Sequence, residues 1–94
     1  MKKKVTKHAL KRAMERFGDN YRQKRIRNAL LYGHIPTDFK GEFRDYLQAI
    51  LKKNSKSKSI KIHEDMLVLY NKRNQKVITT WKVPDKYLPT GKFR

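Results

Sequence analysis

His8, Arg12 and Arg16 stand four residues apart, so on a helix they form one row with an imidazole at its head and two guanidiniums behind it. Lys7 and Lys11 flank the histidine. These residue types suit RNA cleavage without a metal. That reaction needs a base for the 2′-OH proton, cations for the charge that builds on the phosphorane, and an acid for the departing 5′-oxygen. Imidazole is the side chain that changes protonation state near neutral pH. The same row also reads more simply as a solvated basic helix face, with His8 one exposed residue among several.

A second candidate lies near the other end of the chain. In Val77-Ile78-Thr79-Thr80-Trp81-Lys82-Val83, a period of two puts Val77, Thr79, Trp81 and Val83 on one face of a strand. Ile78, Thr80 and Lys82 fall on the other. A hydroxyl two residues from an indole can donate to a phosphate while the ring shields the site or stacks on a base. Taken singly, Trp81 is a core aromatic and Thr79 an ordinary strand former. His63 beside Lys61 is a lesser candidate for an acid or base, and His34 follows Gly33 where a cation would meet the last helical carbonyls.

Taken together, Val5-Thr6, His8, Arg12, Met14 and Arg16 with the later Val77-Ile78-Thr79-x-Trp81 resemble the small RNases and toxins of the barnase–EndoU–colicin–RelE superfamily. The tRNase domain of the colicin D type is similar in particular. Its late Ser-x-Trp resembles Thr79-x-Trp81, and its first-helix Lys and His resemble Lys4, Lys7 and His8. The resemblance implies a metal-independent endoribonuclease with no cofactor, toxin-like or phage-encoded, leaving 2′,3′-cyclic phosphate and 5′-OH ends. It implies His8 as general base, Arg12 and Arg16 as cations for phosphate and transition state, Thr79 as a donor to phosphate and Trp81 as a packing or stacking group. The implied partners are RNA, either tRNA or ribosome-bound mRNA, and an acidic antitoxin or immunity protein that a positive chain would attract.

Charge points to the same class of partner. Twenty-five Lys and Arg against eight Asp and Glu give 94 residues a net charge of +17. Such self-repulsion opposes compactness and becomes intelligible when the partner is a polyanion, because each neutralised phosphate releases counterions. The cations run through nearly every segment instead of gathering in a tail, which predicts a folded domain with a basic surface. Lys4, Lys7, Lys11, Arg22, Arg25, Lys61 and Lys82 are the expected nucleic-acid contacts. The rival reading is a non-catalytic nucleic-acid-binding or host-takeover protein that acts by occlusion through this surface. A basic ribosome-associated structural protein fits the charge alone. With no cysteine, disulfides and thiol nucleophiles are excluded, and three scattered histidines set no metal-ligand spacing. No apolar run follows Met1-Lys2-Lys3-Lys4, so a cytoplasmic protein without a membrane partner is expected.

The elements that must position these residues are legible from periodicity. A helix is predicted over 6–17, capped by Thr6, with Leu10, Ala13, Met14 and Phe17 as its apolar stripe, His8, Arg12, Glu15 and Arg16 opposite, and Gly18 as its stop. Asp19 or Asn20 caps a second helix over about 21–32, with Ile26, Ala29 and Leu30 inward and Gly33 at its end. Phe43, Tyr46, Leu47, Ile50 and Leu51 predict a third over 42–52. The Lys/Ser stretch 53–59 reads as a mobile loop. From Ile60 the period becomes two, and turns at Glu64-Asp65 and Asn71–Gln75 separate three apolar runs into an antiparallel meander. Residues 1–5 are a basic N-terminus, and 84–94 an irregular basic tail begun by Pro84. The expected fold is one α+β domain over 1–94, with N-terminal helices packed on one face of a small antiparallel β-meander.

Overall fold

Residue 60 is where the hydrophobic period changes, and the helical half of the chain gives way to sheet just before it. A computed structural model describes residues 4–5, 7–18, 23–54 and 57–94. The expected caps Thr6, Asp19 and Asn20, and the expected contact Arg22, lie outside the described residues. A two-residue strand β1 (Lys4–Val5) precedes helices α1 (Lys7–Phe17), α2 (Gln23–Tyr32) and α3 (Gly41–Lys52). Strands β2 (Lys58–His63), β3 (Met66–Asn71) and β4 (Lys76–Lys82) follow. The fold is α+β, and its three long strands form the predicted antiparallel meander.

The sheet order is β1-β4-β3-β2, with β1 parallel to β4 and Val5 opposite Val77. The basic N-terminus therefore contributes a strand. Two residues carry no period, so only the free edge of β4 reveals it. Ser55 and Lys56 of the expected Lys/Ser loop lie outside the described residues, and the end of that stretch is strand. Lys58 and Ser59 pair with Asn71 and Tyr70, because strand pairing satisfies their backbone groups whatever their side chains prefer.

β3 forms the centre of two cores. Met66, Val68 and Tyr70 pack with Ala9, Ala13, Phe17, Ile26, Ala29 and Leu30 beneath α1 and α2. Leu67 and Leu69 point the other way, toward Phe39, Phe43, Leu47 and Tyr87. Helices α1 and α2 thus cover one face as predicted, and α3 with the C-terminal segment closes the other. Burial on both faces is why β3 reads as an unbroken apolar run while β2 alternates. The segment after Pro84 forms two 3-10 turns and packs inward: Tyr87 is buried, stacks 4.9 Å from Phe43, and the Lys40 N–H donates to the Phe93 carbonyl at 2.7 Å.

Glu42 ties that segment to α3, accepting hydrogen bonds from Lys86 Nζ and Tyr87 Oη, each at 3.2 Å. Those donors hold the Glu42 carboxyl below the ordinary glutamate range. A depressed carboxylate contributes stability above its unfolded pKa of about 4.3 and loses it as pH falls through the lower folded value. An NMR titration of Glu42 should therefore show its midpoint rise in Tyr87→Phe, which removes one of the two donors.

Candidate nucleic-acid interface

α1 lies along β4, which brings the two separated candidate segments of the sequence into one layer. The contact is made through Ala9 and Ala13, both wholly buried, whose small side chains let helix and strand approach closely. The predicted stripe is rotated accordingly. Ala9 replaces Met14, which is 60% exposed, and Leu10 is only partly buried.

This rotation decides what the basic row can do. Each i, i+4 step turns about 40° further round a helix of 3.6 residues per turn, so the row winds across α1 instead of following its axis. Arg16 ends up beside Ala13 and Phe17 at the edge of the buried stripe, while His8 is exposed on the outer flank. The Arg16 guanidinium donates through Nη1 to the Thr80 carbonyl and lies 5.7 Å from the Trp81 ring centroid. It reaches the backbone of β4 beyond Lys76 and Val77, the two residues that β1 covers. His8 sits about 12 Å away along the helix, at 1.5 Å per residue. Of the predicted row, Arg16 is the member brought to Trp81.

β4 departs from the strict alternation expected of it. Tyr70 pairs with Val77 and Leu69 with Thr79, which leaves Ile78 as a bulge and reverses the face of what precedes it. Val77 consequently joins the core beneath α1 and α2, while Thr79 and Trp81 lie across from Leu69 and Leu67 on the α3 side. Thr79 is only 8% exposed, and Trp81 is half-buried against the α3-side core. Thr80 is fully buried, and its Oγ1 has no hydrogen-bond partner among the described residues. A buried hydroxyl without a partner costs about 1–3 kcal/mol. Thr80→Val keeps the shape and removes the orphan, so denaturant titration should show stabilisation of about 1 kcal/mol.

The remaining cations divide by what they face. Arg12 pairs with Glu15 at 2.9 Å on the surface, an exposed pair worth little. Arg25 lies 5.0 Å over Phe17 and binds Asp65 at 2.5 Å, with Glu64 at 3.9 Å. Much of its charge is answered within the chain. Lys7, Lys11 and Lys82 are exposed, and Lys61 is half-buried across from Val68. Lys4 pairs with Lys76 through the backbone of β1. The outer flank of α1 therefore carries Lys7, His8 and Lys11 together, a cationic patch around one imidazole.

No protein-family model, curated protein or solved structure matches this chain. Its own geometry therefore carries the functional reading. Among the described residues no three His, Asp or Glu side chains gather to hold a metal, and no helix is long and apolar enough to cross a membrane.

Two surface clefts lined by described residues include candidate side chains, Arg25 in one and Trp81 in the other. The larger, about 840 Å³, is lined by Arg25, Glu64, Asp65, Leu88, Pro89 and Thr90. Its two carboxylates present like charge to a polyanion. The smaller, about 370 Å³, lies between α3 and β4 and is lined by Tyr46, Ile50, Lys53, Asn54 and Trp81. Sequence reasoning assigns Tyr46 and Ile50 to a core stripe and Lys53 and Asn54 to a loop. The spacing of Tyr46, Ile50 and Lys53, at i, i+4 and i+7, is the available signal that they share one helix row.

Proposed function

We propose that this chain is a metal-independent endoribonuclease that engages RNA through its basic surface, with His8 as general base. The observation that supports the reading most is the exposed His8 among Lys7 and Lys11 on a helix packed along β4. His8 takes the proton from a 2′-OH, whose oxygen attacks the adjacent phosphorus. The P–O5′ bond breaks, and the 5′-oxygen takes up a proton from solvent. The products are a 2′,3′-cyclic phosphate and a 5′-OH. Lys7, Lys11 and Arg12 hold the phosphate and the charge that develops on it, while Arg16 orders the adjoining edge of β4 through Thr80. An acidic antitoxin or immunity protein would cover the same surface, attracted by the charge of +17.

The test is incubation of the protein in EDTA with total tRNA and with a ribosome-bound message, mapping new 5′-OH ends. Discrete cuts on either substrate are the expected result. Binding without cuts would overturn the catalytic assignment. Two observations favour that second reading, RNA binding by occlusion: His8 stands a full eight residues from Arg16, and Thr79 is buried on the α3 side. In either case affinity should fall steeply with salt, since each neutralised phosphate of a single strand adds about −0.7 to the slope of log K against log salt. Filter binding across a salt series measures that slope.

A further inference from the structure

The cleft between α3 and β4 is built differently from the cationic patch on α1. Tyr46 and Trp81 contribute aromatic surface to it, Ile50 its apolar floor, and Lys53 and Asn54 its polar rim at the end of α3. At about 370 Å³ it falls at the small end of ligand pockets, which run from about 300 to 1,000 Å³. Tyr46 packs within the aromatic cluster, stacked 6.4 Å from Phe43 and tilted against Tyr87 at 5.3 Å. Burial pushes the Tyr46 hydroxyl pKa up, so the group remains a neutral O–H donor beside an anion. Asn54 is oriented too, since its Nδ2 donates to the Ile50 carbonyl at 2.8 Å and turns Oδ1 to the other side. Lys53 is the charged residue that lines the cleft among the described residues, and Arg16 lies 5.7 Å from the Trp81 ring.

Resting on the reading of this chain as an RNA-binding protein, we propose that this cleft is a binding site for one unpaired nucleobase of the RNA. The base stacks against Trp81 and Tyr46, and its phosphate is met by Lys53. Aromatic walls suit any base because every base has a π-face, and a cationic rim suits the strand that carries it. A duplex offers no free face to such a cleft, so the site selects single-stranded or looped RNA. The proposed catalytic patch and this cleft then sit on elements covering opposite faces of the sheet, joined at the β4 edge by Arg16.

Trp81 is the sole tryptophan, so its emission reports this cleft directly. The probe is a short 2′-O-methyl oligoadenylate, which lacks the free 2′-OH that cleavage requires, with inorganic polyphosphate as an anion without bases. Stacking should quench Trp81 emission on adding the oligonucleotide and leave it unchanged on adding polyphosphate. Tyr46→Leu, which keeps apolar packing, should weaken oligonucleotide binding by about tenfold. Lys53→Gln on the surface should weaken it several-fold without loss of folding. Oligonucleotide binding with unchanged emission and unchanged affinity in both variants would overturn the base site while leaving the basic-surface reading intact. Absence of any oligonucleotide binding would overturn both.

Discussion

His8→Ala should lower RNA cleavage by about 100- to 10,000-fold, the range a general base contributes, while RNA affinity changes little. The asymmetry follows from the surface that His8 occupies. Affinity for a polyanion comes from cations, and Lys7, Lys11 and Arg12 remain in place when a single imidazole is removed. The exposed position of His8 makes the substitution structurally mild, because no core packing depends on it. Lys7→Gln and Lys11→Gln should do the reverse, weakening binding in graded, salt-sensitive steps. The measurement pairs cleavage rate with filter binding for each variant at one salt concentration. An equal drop in both quantities for His8→Ala would assign the histidine to binding and remove the catalytic reading. A wild-type cleavage rate that rises with pH to a plateau, as a general base working with a solvent proton donor requires, should accompany the expected result.

Gly33→Ala should destabilise the fold strongly, although it adds only one methyl group. Gly33 follows α2, where its N–H donates to the Ala29 carbonyl at 2.8 Å. A Cβ there would lie 2.3 Å from that same carbonyl oxygen and 3.0 Å from the carbonyl oxygen of Ile62. Both are backbone atoms, so neither can rotate away as a side chain would. The next residue, His34, exchanges two backbone hydrogen bonds with Ile62, at 2.7 and 2.8 Å, and docks the end of α2 on β2. Relieving the clash therefore costs the docking as well. Overpacking of this kind costs about 1–3 kcal/mol, and the two close backbone approaches place Gly33 near the upper end. For a domain of this size the thermal midpoint should drop by about 10–20 °C. Calorimetry measures it, and a midpoint within about two or three degrees of wild type, as for the mildest surface changes, would contradict the geometry.

The two effects differ in how far they could be foreseen. His8 can be named from spacing alone, since its chemistry depends on residue type and on neighbours one turn away. Gly33 can be placed at a helix end, but one of the two carbonyls that crowd it, that of Ile62, lies 29 residues further along the chain. The helices at 7–17, 23–32 and 41–52 are legible because apolar residues at 3.6 spacing must face a core, whatever that core turns out to be. The meander is legible for the same reason at period two, with turn residues between the runs.

Orientation is what no local pattern shows. Hydrophobicity centres the stripe of α1 on Leu10 and Met14, yet close packing on β4 selects the smaller Ala9 and Ala13 and turns Arg16 to the edge of the sheet. The bulge at Ile78 belongs to the pairing of β3 with β4, so the period of β4 cannot show that Val77 and Thr79 face opposite ways. Likewise Tyr46, Lys53 and Trp81 meet only because α3 covers the second face of the sheet. Charge and local periodicity suffice for the basic character of the surface, the kinds of element and their order, because each is a property of neighbouring residues. Packing settles the rest: which cations face solvent, which are answered by Asp65 or by the Thr80 carbonyl, and which aromatic side chains share a cleft. Those outcomes depend on residues far apart in the chain, whose meeting is set only when helices and sheet close on one another.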